Sequence, residues 1–508
     1  MRGQLDVPNG WAHATLGDTL LAVVGGGTPS RKVPAYFDGP IPWFTVKDMK
    51  AVKPSDAEEH ISQEAIADSA TNLVPANTLI VATRIALGRA IRPTVACAIN
   101  QDLKALIVGT GIDTNFLLYW VGANERAIQD LGSGTTVSGI RLETLHALPL
   151  LLPPSPEQTR IVEKLEELLS ALDAGVTELK AAQKKLAQYR QSLLKAAVEG
   201  ALTAAWRAKN KPTETGEQVL QRTLVQRRAR WEAKQLAKFK EQGKTPPKDW
   251  QNKSPEPVPP DTTDLPEVPE GWVWASVDQL SFVVRGASPR PAGDPRFFGG
   301  EIPWITVGSL TADNSMYLKS VNQFVTEAGR DASRFIEAGT LLLTNSGATL
   351  GVPKITNIGG CINDGSVALL DIDEPLKVYL YWYLRTQTDV LRATNQGAAQ
   401  PNLNIDIVKR ISVPICPLAE MGQVNDLLGS QTDAIEEQRQ SIAIYFKQST
   451  AQRQNILKAA FSGQLVPQDP NDEPASVLLE RIRAERLVRA SSCNNTHSAA
   501  RTGRKPKC

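Results

Sequence analysis

The chain has 508 residues, 42% hydrophobic and 22% charged, with a formal net charge of +2. This is the composition of an ordinary soluble globular protein, and its length exceeds what one growing core holds, so at least two domains are expected. No apolar run approaches the ~18 residues of a membrane span, and Met1-Arg2-Gly3-Gln4-Leu5-Asp6 lacks the apolar stretch of a secretion signal. Cys97, Cys361, Cys416, Cys493 and Cys508 are scattered without zinc or disulfide spacing. They read as free thiols in a reducing cytosol, three of them packed as small hydrophobes.

Residues 1–152 mix short β-rich runs, such as Thr78-Leu79-Ile80-Val81-Ala82 and Leu103-Lys104-Ala105-Leu106-Ile107-Val108, with Gly, Pro, Asn and Asp punctuation. One short amphipathic helix is expected over Asn115 to Gln129, and the whole reads as an α+β globule. At Pro153-Pro154-Ser155-Pro156-Glu157 the character changes, and a helix from about Glu157 to Glu199 is expected. Its seam is Leu165, Leu168, Leu172, Gly175, Leu179, Ala182, Leu186, Tyr189, Leu193 and Ala196. Spacings of three and four alternate along it for about 4.5 heptads. Such a helix, ~60 Å long at ~1.5 Å per residue, needs a partner for its stripe.

A basic segment follows. Residues 203–253 carry 13 Lys or Arg against 5 Asp or Glu, with a helical stretch over Glu217 to Gln242. Thr245 to Gly271 then holds eight prolines and reads as an extended, semi-rigid linker. Beyond it the chain repeats itself. Val7-Pro8-Asn9-Gly10-Trp11 returns as Val268-Pro269-Glu270-Gly271-Trp272, and Ile41-Pro42-Trp43-Phe44-Thr45-Val46 as Ile302-Pro303-Trp304-Ile305-Thr306-Val307, both shifted by 261. Leu194-Lys195-Ala196-Ala197, with Gly200 and Leu202, returns shifted by 263 as Leu457-Lys458-Ala459-Ala460, with Gly463 and Leu465. The short helix is matched by Lys377 to Leu391. The seam is matched by Leu428, Gln431, Ile435, Gln438, Ile442, Tyr445, Ser449, Gln452, Ile456 and Ala459, so the two long helices are natural partners. This period exceeds the ~20–50 residues of solenoids and propellers; it is a duplicated domain-plus-helix unit.

From Arg481 to Cys508 the chain carries 8 Lys or Arg against 1 acidic residue. Both basic segments fit contact with a polyanion, and both equally fit solvated helix faces and a disordered tail. Val219-Leu220 and Arg227-Arg228 recur loosely as Val477-Leu478 and Glu485-Arg486.

Catalytic signatures are missing. The sequence has no phosphate-binding loop, no Gly-x-Gly-x-x-Gly and no His-Glu-x-x-His, and His13, His60, His146 and His497 have no partner at metal-ligand spacing. Ser192-Leu193-Leu194-Lys195 matches Ser-x-x-Lys but lies inside the heptad helix, and Asn455 replaces Ser192 in the second copy. No catalytic residue, metal site or bound cofactor is assigned.

What remains is a set of loops rich in groups suited to phosphates and base edges. In the first copy these are Thr28, Ser30, Arg31 and Lys32; Arg84 and Arg89; and Ser133, Thr135 and Thr136. In the second they are Arg285, Ser288 and Arg290; Asn345, Ser346 and Thr349; and Gln396, Gln400 and Asn402. Glycines in the same loops let backbone approach a ligand closely. Each loop is also what a turn-rich domain uses as punctuation. The framework repeats while its lining differs: Arg84 and Arg89 against Asn345 and Val352, Thr135-Thr136 against Ala398-Ala399. Two readers of two different sequences need that combination.

The order of these motifs, twice over, resembles the specificity (S) subunit of type I restriction–modification enzymes across roughly residues 5–466. The Pro-x-Gly-Trp starts, the Ile-Pro-Trp segments, the loop Arg84 to Arg89 with its counterpart Ser346 to Gly351, and the run Pro153 to Leu169 carry the resemblance. So does the helix end Tyr189-Arg190-Gln191-Ser192-Leu193-Leu194-Lys195-Ala196-Ala197 with its copy Arg453-Gln454-Asn455-Ile456-Leu457-Lys458-Ala459-Ala460-Phe461. The resemblance implies target-recognition domains over 1–152 and 268–414, and long antiparallel conserved helices over 153–202 and 415–466 that fix the spacing between half-sites. A basic insert with its linker (203–267) and a basic tail (467–508) complete the division. It further implies double-stranded DNA as ligand, with two methyltransferase (M) and two restriction (R) subunits as partners. S-adenosylmethionine, ATP and Mg would then belong to those partners and not to this chain. The alternative is a coiled-coil scaffold whose globular domains bind something other than DNA.

Overall fold

The computed structural model describes residues 7–133, 139–394 and 403–499. The chain divides into two compact units. One comprises residues 1–180 with 443–508, and the other residues 181–442.

The first unit holds a globular domain of two four-stranded sheets. One has the order Leu20–Gly25, Leu103–Val108, Leu79–Ala82, Ala90–Ile91, all antiparallel. The other has the order His60–Ile61, Ile41–Phe44, Cys97–Ile99, Leu73–Val74, its central pair parallel. The run Leu79-Ile80-Val81-Ala82 has no polar face because the strand lies between two cores. Leu79 and Val81 join one cluster with Leu106, Phe116 and Leu165, while Ile80 and Ala82 join another with Phe44, Ile99 and Leu103. Alternate side chains of a strand point to opposite faces, so a strand buried on both sides reads as continuous apolar sequence. The ribbon Ala12–Thr15 with Pro149–Leu152 closes the domain and delivers the chain to the first long helix.

The helix expected over Asn115 to Gln129 is two, Thr114–Ala123 and Glu125–Asp130. Asn124 separates them, its side-chain amide donating back to the Trp120 carbonyl at 2.8 Å. Such local bonding is why Asn breaks helices. In the second copy the corresponding helix, Leu376–Thr394, is unbroken.

The second unit repeats this domain. Its sheets have the orders Phe282–Arg285, Ser366–Leu370, Leu341–Thr344, Pro353–Thr356, Tyr317–Leu318 and Phe324–Val325, Phe298–Ile305, Gly360–Ile362, Arg334–Ile336, with one strand, Tyr317–Leu318, added at an edge. Leu341 and Leu343 face one cluster and Leu342 another, as in the first copy.

The long helices run over Ser155–Val198 and Leu418–Phe461. In the first unit, Ile161, Val162, Leu165 and Leu169 share a core with Ile456 and Ala460. In the second, Leu193, Leu194 and Ala197 share one with Met421, Val424, Leu428 and Ile435. The start of each helix therefore meets the end of the other, an antiparallel pairing. The seam is uneven. Leu165, Leu193, Leu428, Ile435 and Ile456 are buried, whereas Leu168, Leu172, Leu179, Leu186 and Ile442 are half-buried, and Ala182, Tyr189, Gln431 and Gln438 are exposed. Burial is complete where a globular domain also covers the stripe and fades where only the other helix does.

The basic segments are not appendages. Helix Gly216–Glu241 buries Val219 and Leu220 in the core of the second unit, and the Gly216 amide donates to the Gly271 carbonyl at 2.7 Å. Helix Ala475–Ala499 buries Leu478, Leu479 and Ile482 in the first unit, and the Ala475 amide donates to Gly10 at 2.9 Å. Gly10 and Gly271 are equivalent in the repeat, so these helices are equivalent too, with Val219-Leu220 matching Leu478-Leu479. The disordered-tail reading fails for 475–499, because this short apolar cluster docks on a domain. The proline-rich linker is also fastened down: the Val258 amide donates to Asp278 at 3.0 Å, and Trp274 Nε1 to the Pro266 carbonyl at 3.1 Å. Glu420, buried in the first turn of the second long helix, ties the region together. It accepts from Thr203 Oγ1 at 2.6 Å, from Arg207 at 2.5 Å and from Trp272 Nε1 at 3.0 Å. That gives the Pro-x-Gly-Trp motif a structural role. No helix among the described residues is long and apolar enough to cross a membrane.

Candidate nucleic-acid interface

The loops singled out by composition come together in each domain around a turn that sequence reasoning passed over. This turn connects two strands: Asn100-Gln101-Asp102 in the first domain and Asn363-Asp364-Gly365 in the second. Their equivalence follows from the pairing, since Ala82 faces Leu103 and Thr344 faces Ser366. Beside each turn passes a glycine, Gly26 or Gly286. A Cβ there would lie 2.1 Å from the Asn100 carbonyl oxygen or 2.0 Å from that of Asn363, so only glycine fits.

In the second domain the groups converge on Asp364. Ser288 Oγ donates to its carboxylate at 2.6 Å and Arg290 at 3.1 Å, while Arg285 Nε and Asn345 Nδ2 donate to its backbone carbonyl at 3.1 and 3.3 Å. The Ser288 hydroxyl, aided by Arg290, holds the Asp364 carboxyl below its ordinary value. In the first domain Thr28 Oγ1 donates to the Gln101 side chain, the counterpart of the Ser288–Asp364 bond. Arg84 lies 3.5 Å from Asp102, and its backbone bridges to Gly139, as does that of Ser133. Lys104 extends beneath this turn, its Nζ donating to the Gln101 carbonyl at 3.5 Å, and burial draws its pKa down.

Other expected residues stand apart. Arg31 turns to Glu59 at 2.6 Å and lies over the Phe37 ring at 4.2 Å. Arg89 lies 3.8 Å from Glu125. Ser30 and Lys32 are exposed, the Lys32 amide donating to Ser30 Oγ at 3.4 Å. Asn345 is 0% exposed and supports Asp364 from below, so its side chain cannot reach a base edge. Strand pairing aligns Arg84 with Ser346, not Asn345, and Ser346 and Thr349 are half-buried. Thr135, Thr136, Gln396, Gln400 and Asn402 lie outside the described residues. Arg84 and Arg290 are thus pre-oriented by carboxylates that an incoming phosphate or base could replace, and Arg285 by a backbone carbonyl. Asp102 and Asp364 were overlooked because a carboxylate repels DNA; the signal that could have found them is the recurrence of Ile99-Asn100 as Ile362-Asn363.

Beside Asp364 lies a hollow of about 710 Å³, bounded by Ser288, Arg290, Phe298, Trp304, Gln323 and Phe324. Aromatic walls with convergent polar groups suit an organic ligand. Among the described residues no cluster of His, Cys, Asp and Glu is arranged to hold a metal. On the first long helix Lys195 pairs with Glu199 at 3.7 Å. Cys97, Cys361 and Cys416 are free and buried, and burial pushes the Cys97 thiol up to about 12.

Comparison with known families matches residues 8–185 and 269–443, one stretch per copy of the repeat, to the type I restriction modification DNA specificity domain. The EcoR124I/EcoR124II specificity subunit of Escherichia coli is 31% identical over 180 residues, 33% of this chain and 45% of that protein. The match therefore spans about half the length of that relative. The EcoDI specificity subunit of Escherichia coli is 24% identical over 388 residues, 74% of this chain and 78% of that one. Among solved structures, a chain described under complex assembly and conformational transition of the type I R-M system aligns with a TM-score of 0.63 at 15% identity, over 91% of this chain and 100% of that chain. The HsdS subunit from Thermoanaerobacter tengcongensis aligns with a TM-score of 0.53 at 16% identity, over 91% and 99% of the two chains. At these identities the structural likeness shows a common fold.

Proposed function

The chain belongs to the type I restriction modification DNA specificity family, and we propose that each of its two domains reads one half of a bipartite double-stranded DNA site. The observation that carries this is the paired constellation: one scaffold, duplicated, places a hydroxyl and a cation on the same inter-strand turn in each copy. The lining differs, with Thr28, Gln101 and Arg84 in one and Ser288, Asp364 and Arg290 in the other. Phosphate contacts position a protein on DNA and base-edge contacts specify sequence. Arginine can serve either purpose, and its exchange for other residues between copies would change the sequence read. A scaffold with non-DNA ligands is not favoured, since the DNA specificity match covers both copies.

The chain acts without chemistry of its own. Two methyltransferase and two restriction subunits dock on its helical regions and supply the reactions, with S-adenosylmethionine, ATP and Mg bound by them, in the cytoplasm. A groove of about 1570 Å³ in the second unit supports docking there: Leu186, Arg190, Tyr381, Trp382 and Arg439 line it, offering apolar and cationic groups together. Domain limits at 1–152 and 268–414, with the long helices as the element between half-sites, complete the reading. The test is to express the chain with its methyltransferase and map modified adenines across a genome. A gapped motif of two unrelated halves is expected; a continuous motif, or none, contradicts the reading.

A further inference from the structure

We propose that Ile85 is an apolar base-contacting residue, set at the tip of the first domain's reading loop to touch the edge of a base pair in its half-site. This rests on the reading of that domain as a DNA reader and goes beyond it by naming a contact that is neither polar nor charged.

The first observation is conformational. Ile85 has φ +67°, in the left-handed region that β-branched residues avoid. The Ala86 amide donates to the Arg84 carbonyl at 2.8 Å, so Ile85 is the centre of a three-residue turn of the rarer, strained kind. Among the described residues the other non-glycine positions with positive φ are Asn77, Asp371, both of types that tolerate it. Ile85 is therefore the outlier.

The second observation comes from the duplicate. Counted forward from the strands Leu79–Ala82 and Leu341–Thr344, Gly347, at φ +72°, stands where the first domain has Ile85; counted back from Ala90–Ile91 and Pro353–Thr356, Gly351, at +81°, stands where it has Gly88, at +78°. The loop needs a left-handed residue at this point in both copies. The second domain uses the residue that adopts it without strain, and the first uses one of the worst suited.

The third observation is that the protein gains nothing in packing. Ile85 is 63% exposed and joins none of the hydrophobic clusters, although Ala86 and Leu87 beside it do. Its neighbours on the loop are Arg84 and Arg89, and the loop lies against Asp102 and Gly139. An exposed apolar side chain, held in strain between two cations, suits a ligand that is anionic outside and apolar inside. Duplex DNA has that make-up: phosphates for the arginines, and thymine methyls and base edges for isoleucine. Strain retained at a position without a packing return is characteristic of functional sites.

The experiment uses the full chain assembled with its methyltransferase subunits, and duplexes carrying the mapped site or that site scrambled in the first half. Ile85→Gly and Ile85→Asn both relieve the backbone, so neither should lower the Tm. Each is expected to weaken binding to the cognate duplex by about tenfold or more, the scale of one apolar side chain's burial, and to leave binding to the scrambled duplex unchanged. Ile85→Val, still apolar and branched, should keep most of the affinity. If Ile85→Asn binds the cognate duplex like the natural chain, the side chain only shapes the loop and the proposal is overturned. Equal weakening on both duplexes also overturns it. If the natural complex itself fails to distinguish the two duplexes, the DNA-reading account of the domain fails, and this inference with it.

Discussion

Arg84 is held in place by Asp102. Its side chain is 51% exposed and lies 3.5 Å from the carboxylate of Asp102, which is 11% exposed and also accepts from Asn100 Nδ2 at 3.0 Å. Exchanging that carboxylate for a base edge leaves Asp102 with its Asn100 partner, and the guanidinium arrives already oriented. Arg84→Ala should cost about 1–3 kcal/mol on the cognate site and relax one base position. A panel of duplexes, each altered at one position, reads this directly. Uniform weakening on every duplex, with a shallower salt dependence, would assign Arg84 to a phosphate instead. Composition alone marks turn-rich loops, because glycine, hydroxyl and cation clusters punctuate a chain whatever the fold. It could not rank residues within a loop, because exposure there is decided by strand pairing. Asn345 follows the strand Leu341–Thr344 directly, its amide donates to the Gly365 carbonyl at 3.0 Å, and its side chain is consequently buried. Ser346, one residue on, occupies the position of Arg84.

At the scale of elements, heptad spacing marked the first long helix to within two residues: about Glu157 to Glu199 expected, Ser155–Val198 found. A stripe sustained over many turns is a strong signal. Of the docking helices, Gly216–Glu241 lies within one residue of the stretch expected over Glu217 to Gln242, whereas Ala475–Ala499 was less legible. Among the described side chains of Ala475–Ala499 the buried ones are Ala475, Leu478, Leu479 and Ile482, two turns of apolar spacing inside a basic segment, too few for periodicity to outweigh charge. Their effect is nevertheless large. Ile482 is 0% exposed, and a Cβ on Gly109 would lie 2.6 Å from its side chain, so helix and domain are in close contact. Arg486 adds a clasp, donating to the Gly17 carbonyl at 2.8 Å and to that of Leu20 at 3.0 Å. Arg227 does the equivalent in the second unit, 3.6 Å from Asp278 and over the Phe282 ring at 4.2 Å. Ile482→Ala should destabilise the first unit by about 2–5 kcal/mol. Hydrogen exchange should accelerate in Leu20–Gly25 and Leu103–Val108 and stay unchanged in Phe282–Arg285 and Ser366–Leu370. Unchanged exchange in the first pair of strands would show that the helix does not hold the domain.

On the scale of the whole molecule, duplication is the organising fact. It was legible at once, because Pro-x-Gly-Trp, Ile-Pro-Trp and the helix ends recur in order at shifts of 261 and 263. What repetition cannot say is which copy's helix closes which domain, since equivalent surfaces accept either. The answer crosses the chain: the first domain is closed by Ala475–Ala499 and the second by Gly216–Glu241. Both basic segments thereby become parts of the two units. Each unit is then a reader with its own core, its own docking helix and its own set of loops. That independence is the central claim, and replacing residues 1–152 with the corresponding domain of another family member tests it most directly. Genome-wide mapping of modified adenines by the exchanged complex should show a new first half-site joined to the original second half-site. A complex that assembles and methylates but keeps both half-sites, or changes both together, would contradict it.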